Sequence, residues 1–122
     1  MKVMIVASHV HRSALWARHL KRLGAQVTLV QDYEAAIAEL HLAVQDVVIL
    51  DLELDQGGAL ALSDFISYRQ PDAKVIFISD GRFFSDGSIF AHCANAYAFL
   101  PGGTPPEDIA ALAQHHAQSQ SN

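Results

Sequence analysis

The sequence predicts an α/β fold: a single doubly wound, five-stranded parallel sheet, order 2-1-3-4-5, with five helices. Three observations predict it. Val47-Val48-Ile49-Leu50 is four consecutive apolar residues, three of them β-branched, between Asp46 and Asp51. Such a run reads as a strand buried on both faces, which belongs in the middle of a parallel sheet. Similar runs at Val3 to Ala7 and Lys74 to Ser79 are separated by stretches with helical spacing. Short connections and right-handed crossovers then leave one sheet covered on both faces. In the order 2-1-3-4-5 the switch point falls between the first and third strands. Ala7-Ser8 and Asp51 meet there.

In chain order, Val3-Met4-Ile5-Val6-Ala7 is the first strand, and Ser8-His9-Val10-His11 is a polar loop. From about Arg12 to Leu23 the residues Leu15, Trp16, His19, Leu20 and Leu23 recur at helical spacing, with Arg12, Arg18, Lys21 and Arg22 mostly on other faces. Trp16 is a core candidate. Cations in the last turn suit the helix dipole, and Gly24 is the stop. Gln26 to Val30 alternates as a strand with one wet face. Asp32 caps a helix from Tyr33 to Leu42, with Ala36, Ile37 and Leu40 inward.

After the central strand, Leu62, Phe65, Ile66 and Arg69 predict a helix from about Ala59 to Arg69. Gln70-Pro71-Asp72-Ala73 is a turn, Lys74 to Ser79 a buried strand, and Asp80-Gly81 a break. Ser85 to Ala94 is a weaker helix, and Ala96 to Leu100 the fifth strand. Thr104, Pro105 and Glu107 form the start of a last helix with a capping box. The domain is expected over residues 1–118, with a polar tail at 119–122; fraying is expected to begin at His115-His116.

The totals exclude several classes. A chain of 122 residues makes one domain and buries about two-thirds of its unfolded surface, so it needs no staples. The net charge of -5 argues against a nucleic-acid footprint, which needs clustered Lys and Arg. A single cysteine, Cys93, excludes an internal disulfide and fits a reducing compartment. No apolar stretch is long enough to cross a membrane, and none forms a signal segment. The expectation is a soluble cytoplasmic domain. The seven histidines, His9, His11 and the pair His115-His116 among them, show no zinc spacing joined to Cys93.

Candidate chemistry lies at Asp51, because open α/β sheets bind ligands at the carboxyl ends of strands. Glu53, Asp55 and Gly57-Gly58 follow it. Over essentially its whole length the chain resembles the receiver domain of bacterial two-component response regulators. Val47 to Leu52, Pro71 to Ser79 and Tyr97 to Pro101 carry the resemblance. It implies that Asp51 stands at the phosphoacceptor position, Ser79 at the switch hydroxyl and Tyr97 at the aromatic switch. Receivers also carry an acidic pair after the first strand and a lysine before a proline after the fifth. Here the acidic pair falls on Ala7 and Ser8, and the lysine on Leu100, although Pro101 is in place. The proline and the Asp-Gly that follow the acceptor in the family fall on Asp55, Gly58 and Ala59.

Those departures bear on the chemistry. Phosphoryl transfer to a carboxylate depends on positioning and on cations that neutralise the transferring oxygens. Magnesium takes near-octahedral oxygen ligands, usually including one or two carboxylates. Ala7 offers none and Ser8 a neutral hydroxyl, which leaves only a weak magnesium site at Asp51 and Glu53. Leu100 cannot pair with a phosphoryl group. The resemblance therefore implies a stand-alone degenerate receiver: no enzyme, no cofactor, and a protein-interaction module independent of aspartyl phosphate. Its partner would be a histidine kinase, a phosphotransferase, an output protein or a second copy in a homodimer. One alternative is a receiver that accepts phosphate on Asp51, with Glu53 or Asp55 as an atypical magnesium ligand. Another is a cobalamin- or flavin-binding domain: His9 to Ala14 resembles the cobalamin loop with His11 at the ligand histidine, and Leu100 to Pro105 its glycine-rich segment.

Overall fold

A computed structural model describes residues 1–80 and 95–118. The elements are β1 (Lys2–Val6), α1 (Val10–Arg22), β2 (Gln26–Val30), α2 (Tyr33–Leu42), β3 (Val47–Asp51), α3 (Ala59–Arg69), β4 (Lys74–Ser79), β5 (Ala96–Pro101) and α4 (Pro106–Gln118). All neighbouring strands are parallel, and the order is β2-β1-β3-β4-β5. The expected helix from Ser85 to Ala94 lies outside the described residues, as do Phe83, Phe84 and Cys93; four helices are found among the described ones.

Every residue of β3 is buried, as a central strand covered on both faces must be. The two-residue period divides the core into two layers. Met4, Val6, Val48, Leu50, Val75 and Phe77 meet the Ala36 and Leu40 stripe of α2 and Leu62 and Ile66 of α3. Val3, Ile5, Val47, Ile49, Ile76 and Ile78 meet Trp16, Ala17 and Leu20 of α1 and Ile109, Ala110 and Ala113 of α4. Each aliphatic side chain removed from water this way stabilises the fold by roughly 1.5–3 kcal/mol. The same alternation sets Asp51 on the side of Val47 and Ile49, the side covered by α1.

Local signals end the elements as expected, with exceptions that matter. Gly24 has φ +88°. Its N–H reaches the Lys21 carbonyl at 3.0 Å and that of Ala25 the Leu20 carbonyl at 3.1 Å, a Schellman closure of α1. Asp32 accepts the Ala35 N–H at 2.8 Å and starts α2. In contrast, α1 begins at Val10, two residues before the expected start, so Val10 and His11 are helical. His9 is its extended N-cap without a side-chain cap bond; the Ser13 N–H reaches the His9 carbonyl at 3.2 Å. At the other end, α4 begins at Pro106, one residue later than a Thr104 cap would set it. The Thr104 hydroxyl donates instead to the Pro101 carbonyl at 2.7 Å. The helix runs to Gln118, so His115 and His116 are helical and not part of a frayed tail.

Candidate functional site

At the switch point the strand register aligns Asp51 with Ile78 and Ile78 with Leu100. Leu100 packs into the apolar layer under α1 and α4, alongside Ala98. A side chain there is spent on the core. Ala7 is 2% exposed and belongs to the same layer. Ser8 Oγ donates to the Gln31 carbonyl at 3.3 Å and accepts the Asp55 N–H at 3.0 Å. It stitches two loops together. Asp55 contributes its backbone while its side chain is exposed.

Asp51 is 0% exposed. Its Oδ1 accepts the Glu53 N–H at 2.9 Å. Its Oδ2 accepts from the Arg12 guanidinium, also at 2.9 Å. The other terminal nitrogen of Arg12 donates to Asp80 Oδ2 at 2.7 Å. One planar guanidinium thus bridges carboxylates at the ends of two adjacent strands, a geometry that suits Arg and that a lysine ammonium reproduces poorly. The Arg12 guanidinium lies 5.3 Å from the centre of the Trp16 ring, one helical turn on. Gly102, in the turn between β5 and α4, closes the outer side: a Cβ there would lie 2.6 Å from Arg12 Nη1 and would collide with Asp80 Oδ1.

Glu53 turns back toward the site. Its carboxylate accepts the Ser79 hydroxyl at 2.6 Å and the Asp80 N–H at 3.1 Å. Ser79 therefore bonds the loop after β3. Tyr97 lies apart. The β4–β5 register passes from Val75–Ala96 to Ile76–Ala98, so Tyr97 is the unpaired residue of a bulge and is turned outward, 43% exposed. Its hydroxyl accepts from Lys74 Nζ at 2.8 Å. The ammonium also sits 4.1 Å from the ring centre, and the ring meets His116 edge-on at 5.2 Å. His11 is exposed on α1.

Burial pushes the Asp51 carboxyl above its ordinary range. The Glu53 N–H and the Arg12 guanidinium pull it back without cancelling the effect, and the Glu53 carboxyl adds to the rise. For Arg12, burial works to lower the pKa, but the hydrogen bond to Asp80 and the charges of both aspartates outweigh it, so the net direction is up. The guanidinium is charged at any ordinary pH.

The residues do not suit the divalent cation that the resemblance implies. Ala7 has no donor atom and Ser8 is engaged with two backbones. A dication on Asp51 would sit within a few ångströms of a fixed guanidinium. Among the described residues no group of three His, Cys, Asp or Glu side chains is placed to hold a metal. The adjoining cleft beside Ser8, Asp32 and Asp55 holds about 140 Å³. Binding sites for drug-sized molecules are larger, about 300–1,000 Å³.

Sequence reasoning located Asp51, Ser79 and Glu53 here and missed Arg12, Asp80 and Gly102. Two signals were available. A cation in the first turn of a helix opposes the dipole unless anions face it, and α1 has no acidic residue in that turn. Moreover, with Leu100 at the lysine position, a buried Asp51 needs its positive partner from elsewhere.

No protein-family model matches the chain, and a search of curated proteins finds no relative. Solved structures do match. The receiver domain protein (CheY-like) of Methanospirillum hungatei is 15% identical with a TM-score of 0.89, covering 98% of this chain and 95% of that one. NtrX of Brucella abortus in complex with ADP is 24% identical with a TM-score of 0.85 over 98% of this chain, which spans only 26% of the NtrX chain. The isolated NtrX receiver domain is 23% identical with a TM-score of 0.84, covering 96% of this chain and 98% of that one. A Burkholderia pseudomallei response regulator solved with a phosphorylated aspartic acid and calcium is 19% identical with a TM-score of 0.82, covering 98% of this chain and 70% of that one. The fold is that of the response-regulator receiver domain.

Proposed function

We propose that this chain is a receiver-fold signalling module that works through protein contacts and without aspartyl phosphate at Asp51. One observation carries the reading: the carboxylate at the acceptor position is wholly buried and held by an internal arginine. An attacking oxygen must be free to meet a phosphoryl donor, and that donor must find cations to offset its charge. Here Asp51 Oδ2 faces a guanidinium already shared with Asp80, and Leu100 supplies no charge. The module catalyses no reaction of its own and needs no cofactor. Its partner is a protein, whether a histidine kinase, a phosphotransferase, an output protein or a second copy. The resemblance implies the bacterial cytoplasm as its setting. The exposed Tyr97, with Lys74 and His116 beside it, suits such contacts.

Incubation with acetyl phosphate and magnesium, read on a phosphate-affinity gel, tests this. Wild type and Asp51→Asn are expected to migrate alike. Stoichiometric modification that Asp51→Asn abolishes would overturn the reading and favour a working receiver with atypical ligands.

A further inference from the structure

We propose that Arg12 is a built-in counter-ion: its guanidinium does at Asp51 and Asp80 what a bound divalent cation would otherwise do, and makes the carboxylate end of the sheet complete without metal. The inference deepens the functional reading and rests on it in one respect, that Asp51 is a closed carboxylate.

Three acidic side chains gather at the ends of β3 and β4. Asp51 lies within 2.9 Å of Arg12 and Asp80 within 2.7 Å of it, while Glu53 joins them through Ser79 and the Asp80 N–H. Uncompensated, carboxylates so placed repel one another, and the buried one suffers desolvation as well. Among the described residues, Arg12 is a cation set between two of them.

Its placement costs something elsewhere, which argues that the site requires it. A positive charge in the first turn of α1 opposes the helix dipole. Arg12 Nε is buried with no hydrogen-bond partner among the described residues. The guanidinium lies beside the Trp16 ring, and on its other side Gly102 leaves the space that it and the Asp80 carboxylate occupy. A hydrated metal ion exchanges with solvent, whereas a guanidinium on the first turn of α1 cannot leave. Arg12 thereby ties α1 to the ends of β3 and β4 in one arrangement. It is a positioning residue, and the arrangement does not depend on metal supply.

The test compares wild type with Arg12→Gln, Arg12→Lys and the double variant Arg12→Gln/Asp51→Asn. Thermal unfolding is followed at matched ionic strength with EDTA or with millimolar Mg²⁺ or Mn²⁺, and Mn²⁺ binding is read by electron paramagnetic resonance. The wild-type midpoint is expected to be the same with and without the cation, with no saturable Mn²⁺ binding. Arg12→Gln is expected to melt roughly 5–10 °C lower and to regain part of that loss, saturably, with Mg²⁺ or Mn²⁺. The double variant should recover stability and lose the metal response, because the orphaned buried carboxylate is gone. Arg12→Lys should fall between wild type and Arg12→Gln and ignore metal. Saturable Mn²⁺ binding by wild type overturns the proposal. So does a wild-type midpoint in Arg12→Gln, or an equal metal shift in Arg12→Gln and the double variant. If Arg12→Gln does not fold, the wild-type Mn²⁺ titration and the metal response of Arg12→Lys still decide. Acetyl phosphate labelling of Asp51 in wild type would sink the functional reading and the closed carboxylate with it, whereas the metal outcomes above can overturn the role of Arg12 and leave the functional reading standing.

Discussion

At the carboxyl ends of β3 and β4 a charged side chain, Asp51, is drawn into the protein beside the Ser79 hydroxyl, whereas at the amino ends the buried polar side chains are neutral amides. Gln70, 7% exposed, donates through Nε2 to the Leu40 and Ala43 carbonyls, both at 2.9 Å, and accepts the Gln45 N–H at 2.8 Å. Asn95 donates to the Ala73 carbonyl at 2.6 Å and accepts the Ser67 hydroxyl at 2.7 Å. These amides satisfy backbone groups of the turns that lead into β3 and β4. A neutral amide loses little on leaving water once its bonds are made. The Asp51–Arg12 pair lacks that economy, since removing charges from water offsets most of their attraction. The raised Asp51 pKa reflects that balance. Fastening the loops together would need only amides.

Four changes sharpen the contrast, from the largest expected effect to the smallest. Arg12→Gln leaves Asp51 buried without its cation and should cost about 2–4 kcal/mol in urea unfolding, toward the lower end because Arg12 is partly exposed. Gln70→Leu orphans the Gln45 N–H and the Leu40 and Ala43 carbonyls and should cost about 2–3 kcal/mol. The contrast lies in pH: the Gln70→Leu deficit should stay constant from about pH 5 to 8, while the Arg12→Gln deficit should shrink on acidification as Asp51 takes up a proton. A constant Arg12→Gln deficit would mean the clamp is not electrostatic.

Gly102→Ala sets a methyl where the Asp80 carboxylate and Arg12 Nη1 now lie, so these flexible ends must shift and their ion pair loosen, at a cost of about 0.5–1 kcal/mol. Gly103, whose added Cβ would meet nothing within 4 Å, is the control. The smallest effect is the pH slope set by Asp51 itself. Its folded pKa is raised, so the folded state holds the proton more tightly than the unfolded chain does. That contribution to stability is fully present below the ordinary carboxylate pKa of about 3.9 and is lost as pH rises through the folded value. The stability of wild type relative to Asp51→Asn should therefore decline with rising pH across that window and then level off. A difference that climbs with pH would show that Arg12 overcomes burial.

Most of the architecture was legible in the residues. The apolar run of β3, the helical spacing at α2 and α3, Gly24 as a stop and Asp32 as a cap are local signals, and each is where it was expected. Boundaries slipped where competing bonds were involved. The Thr104 hydroxyl found the Pro101 carbonyl, and α1 started early without a side-chain cap. The bulge at Tyr97 depends on the β4–β5 register, which no local pattern encodes.

By itself the sequence determined that a buried aspartate would end a central parallel strand, and that the acids and lysine of a working receiver would be missing around it. Alternation, β-branched runs and helical spacing act between near neighbours, so they can be read along the chain. Only the tertiary structure decided what stands in the vacant roles. Arg12 and Asp51 are 39 positions apart, Arg12 and Asp80 are 68 apart, and Gly102 closes over them from yet another turn. Their meeting depends on where the crossovers bring three elements together at the carboxyl end of the sheet. Arg12, placed by the sequence pattern off the apolar face of its helix, pairs in the structure with the buried Asp51 and with Asp80.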